Sequence, residues 1–298
     1  MKIKDIVKLK FVDTDDVFYR LEQYKRNGLP PGLSLGWPGF DQFYQVPPTG
    51  QLNVVSGWPG TGKSEWTDSI VSNMVLNHKW KVFLYSPENY PADYHIEKMT
   101  EKLIGKPYFS HYGNTERIND SEKCFAQDLI RDHLHFVNTE QNVACLDDLL
   151  NSIFGVIISF GCNMAVLDPW NKIEEQRPKD MNKTDFIGKC LTKIQLFARK
   201  YNISFWIVAH PAKSRKLSDG SFPKVHMYDI ADSAHFYNMC DNGFLLTRDW
   251  NDKTDGRNLT HCQIAKIKDR RYGQVGEHTF LFQPWCGRFV DYKEDYNG

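Results

Sequence analysis

From Gln51 onward the chain alternates short apolar runs with longer stretches whose apolar residues recur at helical spacing. The runs are Leu52–Ser56, Val82–Ser86, Leu134–Val137, Met164–Asp168, Phe205–His210 and Gly243–Thr247. They do not alternate with polar positions, which is how strands buried on both faces read, and such strands belong to parallel sheets covered by helices. Between them, Trp66, Ile70 and Met74 recur every four residues within Ser64–Lys79. In Thr184–Tyr201 the residues Ile187, Leu191, Ile194, Ala198 and Tyr201 make one apolar stripe, with Lys189, Lys193 and Lys200 largely outside it. Beyond residue 258 strands follow without helices: Leu259–Lys268, Thr279–Phe282 and Arg288–Tyr292. At the other end, residues 11–27 set Val17, Phe18, Leu21 and Tyr24 at helical spacing and stop at Gly28. The Gly- and Pro-rich stretch from Gly28 to Gly50 reads as turns and loop. The expectation is an α/β fold: a mostly parallel twisted sheet flanked by helices, with antiparallel strands at its C-terminal edge. Residues 1–34 form a linker helix and loop, and residues 35–298 the main domain.

Composition narrows the classes. Of 298 residues, 41% are hydrophobic and 14% aromatic, enough to fill a core, which excludes wholesale disorder. Lys+Arg and Asp+Glu are both 37, so the chain does not coat nucleic acid by bulk charge; any such contact is local to particular loops. The seven cysteines are scattered, with no CxxC pair, which argues against a disulfide framework or zinc ribbon and for a reducing compartment. The most apolar stretch, Phe154–Leu167, is shorter than a bilayer span and is broken by Ser159 and Asn163. The first residues carry charges where a signal peptide needs an apolar stretch. These features read as a soluble intracellular protein with no membrane partner.

The chemistry centres on Gly57-Trp58-Pro59-Gly60-Thr61-Gly62-Lys63-Ser64, a G-x-x-x-x-G-K-[ST] loop between an apolar strand and an amphipathic helix. Glycines let the backbone curl so that successive N–H groups point at phosphate oxygens. The helix that follows presents its N-terminus and dipole to the same anion. Lys63 is expected to reach the β- and γ-phosphates of a nucleoside triphosphate, and the Ser64 hydroxyl to join the Mg²⁺ shell.

Hydrolysis needs carboxylates as well. Met164–Leu167 is an apolar strand run ending in Asp168, the candidate metal-side acid. Pro169 follows instead of a second acid, so the water-orienting group has to come from another strand end; Glu88, in Ser86-Pro87-Glu88-Asn89, lies just past the next strand. His210 closes a third strand, where polar residues line the ligand crevice of open α/β sheets, and is a candidate γ-phosphate sensor.

In order, GWPGTGKS, SPEN, VLDPW, VAHPAK and KIKDRRYGQVG resemble the RecA-like motor domain of the hexameric replicative DNA helicases, the DnaB, phage primase-helicase and Twinkle type. The resemblance runs from about Gly32 to Tyr292 and implies ATP-driven DNA unwinding. It makes Glu88 the catalytic glutamate, Asp168 the metal-side acid and His210 the sensor. It makes Arg270 an arginine finger with Lys268 beside it, both reaching the ATP of a neighbouring subunit, with Arg271 the alternative by one register step. Arg248 aligns with a residue that stacks on adenine, and Phe282 is set to supply the opposite face. The loop Ala212–Tyr228, with Lys213, Arg215, Lys216 and Lys224, would face a central channel and track single-stranded DNA. Asn171–Lys183, with Lys172, Arg177, Lys179 and Lys183, is a second channel-loop candidate. A finger supplied in trans implies a head-to-tail ring, a hexamer by resemblance, in which the helix at 11–27 packs on the next subunit. A primase domain or protein is the further partner implied, and the origin implied is a phage or bacterium. A recombinase or regulatory ATPase of RecA type, without unwinding, is the alternative reading.

Overall fold

The apolar runs become strands because each lies between two layers of helices and has no polar face to show water. In a computed structural model, residues 12–110, 116–139, 144–212, 223–231, 234–248 and 258–292 are described. Nine strands among them form one sheet in the order β3-β2-β4-β5-β1-β6-β7-β8-β9. β1 (Gln51–Ser56), β2 (Val82–Tyr85), β3 (Leu134–Phe136), β4 (Met164–Leu167), β5 (Ser204–Val208) and β6 (Asn242–Thr247) pair in parallel. β7 (Leu259–Ile267), β8 (Gly276–Gln283) and β9 (Arg288–Asp291) then add antiparallel to β6 and to one another. Every strand run read from the sequence is present, with ends shifted by a residue or two, except that β8 begins three residues earlier.

Seven helices are described: α1 (Thr14–Asn27), α2 (Lys63–His78), α3 (Ala92–Ile104), α4 (Asp120–His133), α5 (Leu146–Phe160), α6 (Lys183–Tyr201) and α7 (His235–Met239). One core cluster packs α2, α3 and α4 on one face of the sheet; the other packs α5, α6 and α7 on the opposite face. The Phe154–Leu167 stretch is the end of α5, a turn at Gly161 and then β4. Among the described residues no helix is long and apolar enough to cross a membrane.

Two elements differ from the sequence reading. The Gly/Pro-rich stretch is turns, as expected, yet it supplies Leu35, Trp37, Phe40 and Tyr44 to the core, where Trp37 stacks on Trp66 of α2 at 5.9 Å. The phosphate-loop helix α2 is not a surface amphipathic helix. Its polar residues Thr67, Asp68, Ser69 and Ser72 are buried as well, because α3 and the turn between β8 and β9 cover the face that periodicity assigns to water.

Candidate active site

The C-terminal ends of the parallel strands gather the chemistry, as they do in open α/β sheets. β1 runs into the loop Gly57–Gly62, and α2 leaves it at Lys63. Gly57 is required by close approach: a Cβ there would sit 2.3 Å from the Leu246 carbonyl oxygen of β6. Gly62, at φ +88°, takes the left-handed conformation that starts the helix at the right angle. The Lys63 ammonium donates to the carbonyls of Gly57 at 2.7 Å and Trp58 at 2.9 Å, so it lies across the mouth of the loop. Burial lowers its pKa to about 8, opposed by the charges of Asp168 and Glu88.

Asp168 follows β4 directly, is 4% exposed, and accepts a hydrogen bond from the Ser64 side chain. Burial pushes its carboxyl up to about 7; the Ser64 bond works against this, and the negative charges of Asp68 and Glu88 add to it. A buried carboxylate raised this far, next to a hydroxyl at a helix start, is a hard-oxygen pair that a divalent cation would relieve, which is the donor chemistry of Mg²⁺.

Glu88 stands at the tip of the turn after β2 with its side chain 48% exposed. His210 Nε2 is 4.0 Å and Lys172 Nζ 3.8 Å from its carboxylate. The His210 ring has its pKa lowered, by burial first and then by Lys63, so it is held neutral, and its Nδ1 is buried without a partner among the described residues. Lys63, Ser64, Glu88, Asp168 and His210 therefore converge from four strand ends. Lys172 joins them. Its sequence position suggests a channel loop, but a short 3₁₀ turn, Trp170–Lys172, brings it to Glu88, and the Tyr85 hydroxyl donates to its carbonyl at 2.9 Å.

Residues 32–291 match the family model of the DnaB-like helicase C-terminal domain. The chain belongs to that family. Over 284 residues it is 33% identical to the Twinkle homolog protein, chloroplastic/mitochondrial, of Arabidopsis thaliana, covering 94% of this chain and 39% of that protein. It is 20% identical over 275 residues to a probable replicative DNA helicase of Trieres chinensis, covering 88% and 57% respectively. The chain thus spans about two-fifths to three-fifths of the length of these curated relatives. Among solved structures, an isolated ATPase domain superimposes with a TM-score of 0.79 at 16% identity, covering 95% of this chain and all of that one. A DnaB-like replicative helicase, solved to describe its interactions with primase, gives 0.73 at 16% identity, covering 95% and 69%. The fold is RecA-like.

In this DnaB-like domain Arg248, just past β6, and Phe282, on β8, meet beside the phosphate loop. The Arg248 guanidinium lies 5.7 Å over the Phe282 ring, and Phe282 packs on Phe289 at 5.0 Å. Phe289 in turn comes within 3.3 Å of where a Cβ on Gly62 would stand.

The segment Lys268–Arg271 is elsewhere. β7 runs antiparallel to β6, with Ile267 opposite Asn242 and His261 opposite Thr247, so residues after Ile267 emerge at the edge where the parallel strands begin. Five strand steps, about 17 Å, separate that edge from the phosphate loop's edge. Arg271 is tied to Asp269, its Nε 2.8 Å from the carboxylate, and Lys268 is tied to buried Asp241 at 3.1 Å. Arg270 is exposed and makes no ion pair or hydrogen bond among the described residues. It borders an open hollow with Gly50, Arg199 and Asn202.

Of the basic loop, Lys213, Arg215 and Lys216 lie outside the described residues; Lys224 is described and exposed. The loop's stem is clear: Pro211 bridges Ile230, and Ala231 N–H donates to the His210 carbonyl at 2.9 Å. The returning segment touches the phosphate loop, where the Trp58 indole N–H donates to the Pro223 carbonyl at 2.8 Å. In the second loop, Arg177 pairs with Glu175 at 2.6 Å, Lys179 is exposed, and Lys183 opens α6.

The sequence reading missed two polar clusters. One, between α2 and α3, joins Glu65, Asp68, His95, Lys98 and Lys102. The other buries Tyr44, Asn53, Gln51 and Asn242 at the strand starts. Helical spacing puts Glu65 with Asp68 on α2, and His95 with Lys98 and Lys102 on α3, but only the fold shows that these faces meet and that the strand starts bury the second cluster.

Proposed function

We propose that this domain is the motor of a replicative DNA helicase, hydrolysing ATP at the seam between two copies and translocating on single-stranded DNA. One observation carries the reading: the phosphate loop, Asp168, Glu88 and His210 converge at one edge of the sheet, while Arg270, without a partner among the described residues, stands at the opposite edge, out of reach of its own site. An arginine so placed serves a neighbour's nucleotide when copies stack head to tail, and such contacts close into a ring, here a hexamer.

Within that frame the loop N–H groups and Lys63 bind the β- and γ-phosphates, while Arg248 and Phe282 clasp the base. Bound Mg²⁺, held by Ser64 and Asp168, would neutralise charge on the β- and γ-oxygens. Glu88 orients the attacking water, and its partly exposed carboxylate has access to it. Neutral His210 senses the γ-phosphate through Nε2. Because its carbonyl anchors the stem of the basic loop and Pro223 hangs on Trp58, loss of the γ-phosphate is passed to Lys213, Arg215, Lys216 and Lys224 on the DNA. Helix α1 packs on the adjacent subunit; it buries none of its own residues, and Phe18 and Leu21 are exposed. Lys268 supports the finger rather than reaching ATP, since Asp241 holds it. A primase partner and an intracellular site of action accompany the reading. Membership of a helicase family favours unwinding over the recombinase-type alternative.

The test is ATPase with and without single-stranded DNA, paired with fork unwinding, on the native chain, Glu88→Gln and Arg270→Ala. Native protein should show DNA-stimulated turnover and unwinding. Both variants should bind nucleotide yet lose turnover, Arg270→Ala by about 10³-fold. Native turnover by Arg270→Ala would remove the seam from the mechanism.

A further inference from the structure

Outside the residues given roles above, the densest charge cluster lies between α2 and α3, and it reaches the catalytic turn. The Lys98 side chain is 12% exposed; its ammonium is 2.5 Å from Glu65 Oε1 and 3.8 Å from Asp68 Oδ2. It also donates to Asn89 Oδ1 at 3.1 Å. Asn89 closes the turn that holds Glu88: its side-chain amide donates to Ser86 Oγ at 2.8 Å and its backbone N–H to the Ser86 carbonyl at 3.1 Å. Glu65 directly follows Ser64 in the first turn of α2. A short chain of contacts therefore runs from the magnesium-side serine through Glu65 and Lys98 to Asn89 and the neighbouring Glu88.

Charge balance alone does not call for the last link. Glu65 is already paired with Lys102, and Asp68 with His95 at 3.3 Å. Glu88, in contrast, has little to fix it: its neighbours His210 and Lys172 stand at 4.0 and 3.8 Å, beyond good hydrogen-bond distance. A water-orienting carboxylate on a half-exposed turn needs an anchor, because misplacing a reacting group by about 1 Å costs about 100-fold in rate.

We propose that Lys98 is a positioning residue: through Asn89 it holds Glu88 at a set distance from the phosphate loop, keyed to that loop by Glu65. The inference rests on the reading of Glu88 as the water-orienting group. Asn89→Ala cuts the link while leaving the buried acids and lysines paired. Its DNA-stimulated kcat should fall about 10- to 100-fold, with the KM for ATP and the thermal midpoint unchanged. Asn89→Asp, which keeps an acceptor for Lys98, should recover most of the rate. Lys98→Gln should lose kcat to a similar degree, and the double variant Asn89→Ala/Lys98→Gln should be no slower than the slower single variant. A native kcat in Asn89→Ala overturns the proposal. So does a loss in Asn89→Ala that tracks a lowered thermal midpoint, or losses that multiply in the double variant. Glu88→Gln, run alongside, separates the two levels: if it alone is inactive and Asn89→Ala is native, only this inference falls; if Glu88→Gln turns over normally, the reading beneath it falls too.

Discussion

Lys63 and Asp168 are opposite charges buried side by side, and each is pushed towards neutrality by the same dry surroundings. On the proposed reading, bound phosphate and a divalent cation would supply the charges that these two groups lack. Lys63→Ala should abolish nucleotide binding measured with a fluorescent ATP analogue, since this buried ammonium lies across the mouth of the loop. At Gly57 the demand is steric. A methyl group would meet the Leu246 carbonyl at 2.3 Å, so Gly57→Ala should cost about 1–3 kcal/mol in denaturant unfolding and displace the loop from β6. An unfolding midpoint equal to that of the native chain would mean that the strand gives way freely.

At the scale of elements, α2 and α3 are joined through charge. Burial would raise the carboxyls of Glu65 and Asp68, but Lys102 and Lys98 hold Glu65 below its ordinary value, and His95 with both lysines does the same for Asp68. Both therefore titrate lower in the folded state, and the unfolded chain takes up more protons as pH falls below the ordinary carboxyl values of 4.5 and 3.8. Their stabilising contribution is present above that range and is lost as pH drops through the folded-state values. Lys98→Met should raise the midpoint of acid unfolding followed by circular dichroism, and cost about 3 kcal/mol at neutral pH. An unmoved acid midpoint would show that Lys102 and His95 suffice. The same helices mark a limit of periodicity. In α2 the pattern located the buried stripe of Trp66, Ile70 and Met74, but which side faced water depended on α3 and the β8–β9 turn, whose positions no local pattern encodes.

Across the whole molecule, the two halves of the proposed catalytic unit lie at opposite edges of one sheet. Two inactive variants should therefore rescue each other. Mixing Lys63→Ala with Arg270→Ala places a native finger beside a native phosphate loop at some seams, and ATPase should reappear in the mixture. Persistent silence of the mixture, with assembly confirmed by sedimentation, would place Arg270 outside the neighbour's site. Deleting residues 1–27 should weaken assembly while leaving the monomer's thermal midpoint nearly unchanged, because α1 buries none of its own residues.

The chain by itself determined the strands, because a strand between two helical layers has to be apolar along its whole length. It determined the phosphate loop too, since glycine spacing and the adjoining lysine are local requirements of wrapping a phosphate. It placed Asp168, Glu88 and His210 at strand ends, where motif order was enough. Tertiary structure decided the rest. Arg270 and Arg271 are indistinguishable in a basic run; only the fold shows Arg271 spent on Asp269 and Arg270 without a partner among the described residues at the far edge. Lys172 reads as one loop cation among several until a 3₁₀ turn carries it to Glu88. The aromatic residues of the Gly/Pro-rich stretch look like loop, and become core because they close over α2 and β6. These outcomes depend on which distant groups meet, a matter of packing and charge pairing across the fold rather than of spacing along the chain.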